Sequence, residues 1–127
     1  MSAPAQSLFE RAAQAGGQLL RVERLPDGGR EGLAPAFLLT FDVGRILLTV
    51  EGGALRGDHL VSQQDVPSGL VDAAEEEPWW RLLGNPLHRV AAPRDGGLDL
   101  QFRADDANPR VVRLRARGAL VSAGLES

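Results

Sequence analysis

The clearest pattern along this chain is alternation. In "LDLQFRA", residues 98–104, Leu98, Leu100 and Phe102 fall on one side and Asp99 and Gln101 on the other. That is the period of a half-buried β-strand. "RVVRLRARGALVS", residues 110–122, alternates too, with Val112, Leu114 and Ala116 against Arg113, Arg115 and Arg117. Folding the two about "DDANP" sets Phe102 opposite Val112 and Leu100 opposite Leu114. The same register sets Asp99 opposite Arg115 and Gln101 opposite Arg113. One face is then apolar and the other charge-paired, and this double agreement selects the register.

A second hairpin is expected from "AFLLTFD" (36–42) and "RILLTVEGG" (45–53) about Val43-Gly44. It sets Phe41 opposite Ile46, Leu39 opposite Leu48 and Phe37 opposite Val50. Its other face carries Leu38, Thr40, Leu47 and Thr49 and is half apolar, so the hairpin should be central, with both faces at least partly covered. Valine disfavours positive φ, which assigns that conformation to Gly44. "QLLRVERL" (18–25), ended by "PDGG", "ALRGDHLVS" (54–62) and "PLHRVAA" (86–92) read as further strands.

Helical signals are short. "AQSLFERAAQA" (5–15) predicts a helix capped by Ser7, with Glu10 at capping-box spacing, and stopped by Gly16-Gly17. Its apolar stripe (Leu8, Phe9, Ala12, Ala13) is thin, so residues 1–17 are expected to form a peripheral helix or arm. "VPSGLVDAAEEE" (66–77) suggests a helix from Ser68. "PWWRLLG" (78–84) suggests another, with Pro78 at its first position and Gly84 at its C-terminal cap. The expectation is a single α+β domain over 1–127, a single antiparallel β-sheet of about five to seven strands with one or two short helices packed on it.

Composition narrows the function classes. A chain of 127 residues suits one domain, and 43% hydrophobic with 24% charged residues is globular rather than disordered. The net charge of −3 gives no general drive toward nucleic acid or an anionic membrane. The arginine row at 113, 115 and 117 therefore reads first as cross-strand pairing with acids such as Asp99. With no cysteine there is no disulfide, no thiolate nucleophile and no cysteine-based zinc site. No apolar run approaches the roughly 20 residues that span a bilayer. The first residues lack a basic region followed by an apolar stretch. A cytoplasmic protein is expected.

Candidate chemistry is sparse. His59 and His88 are the only histidines. A metal site would need both to converge with a carboxylate such as Asp65. Ser62, Ser68 and Ser122 lack the surroundings of a nucleophile elbow. The glycine pairs lie in turns without the strand, loop and helix of a phosphate cradle. "RGD" at 56–58 lies within an expected strand. No catalytic residue, cofactor or metal is expected.

Both tryptophans are adjacent, behind three glutamates. Trp79 shares a helical face with Leu82 and Leu83 and is expected in the core. Trp80, turned about 100° away, falls at the border of that face. Trp80 with Asp72, Glu75, Glu76 and Glu77 is the one place where an aromatic anchor lies beside fixed charge, which suits docking of a basic protein partner.

"PWWRLLGNPLHRVAAPRDGGLDLQFR" resembles a group of small uncharacterised bacterial domains. Their pattern is a tryptophan, then Leu-x-Gly, a strand, Gly-x-x-Asp, and an alternating strand ending in phenylalanine. Trp79 or Trp80, Leu83, Gly84, Gly96, Asp99 and Phe102 match in kind, over about a quarter of the chain, with looser spacing at "GGLD". Some of these domains are held to be immunity proteins that neutralise toxins. The resemblance implies that role and supplies no catalytic residues. The leading expectation is thus a non-enzymatic protein-binding domain of immunity type. The alternative is a small-ligand-binding or enzymatic domain with a cleft between sheet and helix near His59 and His88. Self-association is left open.

Overall fold

The computed structural model describes residues 3–26, 32–93, 96–102 and 110–125. Its strands, numbered along the chain, form two antiparallel sheets. The first has the order β1 (Ala3–Pro4), β6 (Ala54–Leu60), β5 (Gly44–Glu51), β4 (Ala36–Phe41), β2 (Leu19–Arg24) and β7 (Val71–Asp72). The second has the order β3 (Leu33–Ala34), β11 (Leu120–Leu125), β10 (Arg110–Arg117), β9 (Leu98–Phe102) and β8 (Leu87–Ala91).

The expected single sheet is therefore corrected to two, within the expected α+β class. The reason is the number of apolar faces. The β4–β5 hairpin presents Phe37, Leu39, Phe41, Ile46 and Leu48, and the β9–β10 hairpin presents Leu98, Leu100, Phe102, Val112 and Leu114; all are buried in one cluster. One short helix cannot cover two such faces. The hairpins cover each other instead. The chain steps from the second sheet to the first at Pro35, between β3 and β4. On the other side, the bridge between Gln18 and Pro86 brings the start of β2 to the start of β8.

Both expected hairpin registers are displaced by two residues. In β4–β5, Phe41 lies opposite Gly44, Leu39 opposite Ile46 and Phe37 opposite Leu48. The turn is Asp42-Val43, one residue earlier than expected. Asp42 is held there by Gln18, whose N–H donates to the Asp42 carboxylate at 3.0 Å and whose carbonyl accepts from the Asp42 N–H at 3.1 Å. In β9–β10, Phe102 lies opposite Arg110, Leu100 opposite Val112 and Asp99 opposite Arg113. The connection "DDANP" lies outside the described residues. A shift of two leaves every side chain on its expected face, because the side-chain period is also two. The Asp99–Arg115 pair consequently forms along the diagonal, at 3.0 Å. The β5–β6 turn carries Gly52 and Gly53 at φ +61° and +78°, the two positive values that a type I′ hairpin turn demands.

The helix α1 (Ala5–Gln14) starts directly after β1, so Ser7 lies inside it and does not cap it. It stops as expected at Gly16, φ +66°. The Gly16 N–H donates to the Ala13 carbonyl (3.1 Å) and the Gly17 N–H to the Ala12 carbonyl (2.9 Å), closing a Schellman motif. The helix is more than a leaning arm. Ala5, Leu8, Phe9 and Ala12 are buried, and Phe9 meets Phe41 edge-on at 6.3 Å. It packs on both β6 and β8, bridging the two sheets.

Its close seat on β6 depends on Gly57. A Cβ at that position would lie 2.9 Å from the Ala5 Cα and 3.1 Å from Leu8. Gly57→Val is expected to cost about 1–3 kcal/mol through overpacking, because the nearest obstacle is backbone. Urea denaturation checks this, and a midpoint equal to wild type would show that α1 shifts without cost.

The helix expected within 66–77 is absent. Gln63–Asp65 forms a 3₁₀ turn, Gly69 takes φ +85°, and Val71–Asp72 pairs with Glu23 and Arg24 as β7. Pairing with the open edge of β2 satisfies backbone groups that a two-turn helix would leave exposed at both ends. The helix expected over 78–84 is likewise reduced to a 3₁₀ turn, Trp79–Arg81.

Candidate functional site

The segment 73–87 runs along β2 and is tied to it repeatedly. The Ala73 N–H donates to the Val22 carbonyl at 2.9 Å and the Gly84 N–H to the Leu19 carbonyl at 2.7 Å. Between these anchors Arg24 holds Glu76 through two parallel bonds, 2.6 Å from Nε and 2.8 Å from Nη2. Both side chains are only 20% exposed, and a bidentate pair of this kind fixes orientation as well as position.

That frame sets the two tryptophans apart. Trp79 is fully buried against Phe37, ring centroids 5.2 Å apart, with Leu82 also fully buried on the same side of the turn. In a 3₁₀ turn residues i and i+3 eclipse, so Trp79 and Leu82 enter the core together. Trp80 points outward and is 49% exposed. The Arg81 guanidinium stacks over its ring at 4.3 Å. Arg81 also meets the Glu77 carboxylate, Nε to Oε2 3.1 Å, one helical turn back along the chain.

The acids expected beside Trp80 divide into two kinds. Glu76 is turned onto Arg24 and Glu77 onto Arg81. Asp72 is exposed on the edge strand β7, with its carboxylate accepting the Ala74 N–H at 2.9 Å. Glu75 is exposed, with no ion pair to any described residue. Arg81 was not among the expected site residues, although its i,i+4 spacing from Glu77 is a legible signal.

Glu77 is held below the ordinary glutamate pKa. The main cause is its hydrogen bond from Arg81, followed by a hydrogen bond from Trp80 and, after an opposing desolvation effect, the Arg81 charge. A depressed folded value means that the arrangement is fully present above the ordinary glutamate value and is lost as pH falls through the lower folded one. The Trp80 indole N–H resonance is therefore expected to titrate with a midpoint below the ordinary glutamate value, and Glu77→Gln should remove that transition. A resonance indifferent to acid would show that Glu77 does not hold the ring.

The histidines do not converge. His59, on β6, lines a pocket with Leu8 and Arg11 on one side of α1; His88, on β8, lines a shallower one with Glu10 and Gln14. The two histidines that the alternative reading set at one cleft thus line two separate recesses. Among the described residues no three or more of His, Asp and Glu gather in a group able to hold a metal ion. Among them, too, no helix is long and apolar enough to cross a membrane. In the arginine row, Arg115 bonds Asp99 at 3.0 Å and also donates to the Leu98 carbonyl at 3.3 Å.

The fold and the site together define a two-sheet antiparallel α+β domain with one half-exposed tryptophan clasped by its neighbours. Comparison with protein-family models, with curated proteins and with solved structures gives no match.

Proposed function

We propose that this chain is a non-enzymatic protein-binding domain that docks a basic partner on the face centred at Trp80. The observation that carries the reading is the ring itself: half exposed, with the Arg81 guanidinium over it and that guanidinium held in turn by Glu77. An ordinary exposed indole must be immobilised on binding, at about 0.5–1.5 kcal/mol for a side chain rich in rotamers. Here much of that cost is met in the free protein. Tryptophan and arginine are also the residue types in which interface energy concentrates.

Charge supports the choice of partner. Among the described residues Arg24 pairs with Glu76 and Arg81 with Glu77, which leaves Asp72 and Glu75 without an ion pair in a chain of net charge −3. Unpaired Glu75 and exposed Asp72 suit the rim, where charge steers approach more than it adds affinity. Glu76 serves the site indirectly, by pinning its loop to β2. Within this reading the finer proposal is an immunity role, in which the basic partner is a toxin.

The test compares three baits, wild type, Trp80→Ala and a Glu75→Gln/Glu77→Gln double variant, against lysate of the source cell. A basic protein retained by wild type and lost from the Trp80→Ala bait, with both baits equally folded, supports the proposal. Equal retention on all three baits overturns it, as does retention of nothing. Rescue of cell growth on co-expression with the retained protein would support the immunity role specifically.

A further inference from the structure

Between α1, the β4–β5 turn and β6 lies a pocket of about 200 Å³. Its floor is apolar, made by Leu8 and Ala12 of the helix with Phe41 and Ile46 of the central hairpin. Its mouth carries two groups of another kind, Arg11 and His59. We propose that this pocket binds a small ring-bearing carboxylic acid, with the ring on the apolar floor and the carboxylate on Arg11.

Three features argue for that ligand. The first is size. An apolar cavity of about 150 Å³ accepts a benzene ring, so this one takes a ring and the start of a short substituent, with a carboxylate left at the mouth. The second is charge. No carboxylate lines the pocket, and Arg11 makes no ion pair with any described residue. A guanidinium is matched in shape and charge to a carboxylate, and none of the described residues supplies one to Arg11 as an ion pair.

The third is construction. Ala12 and Ala15 present small side chains to the space, and Gly44 presents none. A Cβ on Gly44 would lie 2.8 Å from His59 Nε2, so the imidazole edge rests against the turn at a position only glycine leaves free. Gly44 also takes φ +149°, which side chains rarely adopt. The His59 imidazole carries a ring N–H donor, which supplies a second contact for the acid at the mouth.

Amide resonances followed during titration with sodium phenylacetate test this, with phenylacetamide as the neutral counterpart. Saturable shifts confined to residues around Ala15, Val43 and Gly44 are expected. Arg11→Gln should weaken binding about tenfold or more, the loss expected of a charge-assisted hydrogen bond, and phenylacetamide should show a loss of the same order. Ala15→Leu, at an exposed position that the fold tolerates, should block the mouth and abolish the shifts. Shifts that rise without saturation, or shifts centred on the Trp80 loop, would overturn the proposal. So would phenylacetate binding to Arg11→Gln as tightly as to wild type.

Discussion

Trp79→Ala is expected to lower the free energy of unfolding by about 3–5 kcal/mol, the range for removing a fully enclosed aromatic side chain. For a domain whose whole stability is about 5–15 kcal/mol, that is a large fraction. The ring is completely buried and meets Phe37 at a tilt, centroids 5.2 Å apart and planes 57° apart, so its removal leaves a large gap in the core. The position also contains a weakness. The Trp79 indole N–H is buried and finds no acceptor among the described residues. An unsatisfied buried donor costs about 1–3 kcal/mol, which the wild type already carries. Trp79→Phe keeps a ring on Phe37 and removes that donor, so it should cost well under half of what alanine costs. Urea unfolding of both variants decides the matter. An alanine variant with the wild-type midpoint would refute the burial argument. If the alanine variant fails to fold, a phenylalanine variant as damaged as a large cavity would refute the part played by the indole N–H.

What the sequence makes legible follows from what is local. Alternation over Leu98, Leu100 and Phe102, and over Phe37, Leu39 and Phe41, correctly gives the buried face of each hairpin. It leaves the register open, because a slip of two residues preserves every face. The register of β4–β5 rests on Asp42 and its bonds to Gln18, a residue 24 positions away. The same alternation also fits a single sheet. Two wholly apolar faces and one thin helix are what call for a second layer, and counting those faces would have favoured it. Residues 66–77 carry helix-compatible composition, yet Val71–Asp72 is taken up by the edge of β2. Tertiary pairing there outweighs local preference.

The candidate site divides in the same way. The separation of Trp79 from Trp80 is readable from a local rotation, and so is the Glu77–Arg81 spacing. The Glu76–Arg24 pair joins residues 52 positions apart and has no local signature. The pocket under α1 draws on the helix, the β4–β5 turn and β6, so it exists only once those elements are packed. The alternative reading set His59 and His88 at one cleft; they line separate recesses, each bordered by α1, and that too shows only once the elements are packed.

The second large effect concerns binding. Trp80 contributes little to the core, so Trp80→Ala should leave the unfolding midpoint within the range of ordinary surface substitutions, about 0.5 kcal/mol. It should nevertheless remove the centre of the interface. Loss of a hot-spot residue costs at least about 2 kcal/mol, or roughly thirtyfold in Kd. Arg81 loses the ring it covers, so the clasp goes with the anchor. Calorimetric titration of the purified basic partner into wild type and Trp80→Ala, with unfolding of both measured alongside, tests the proposal most directly. The expected result is a Kd weakened about thirtyfold or more at unchanged stability. Equal Kd values for the two folded proteins would contradict it and leave Trp80 an ordinary exposed ring.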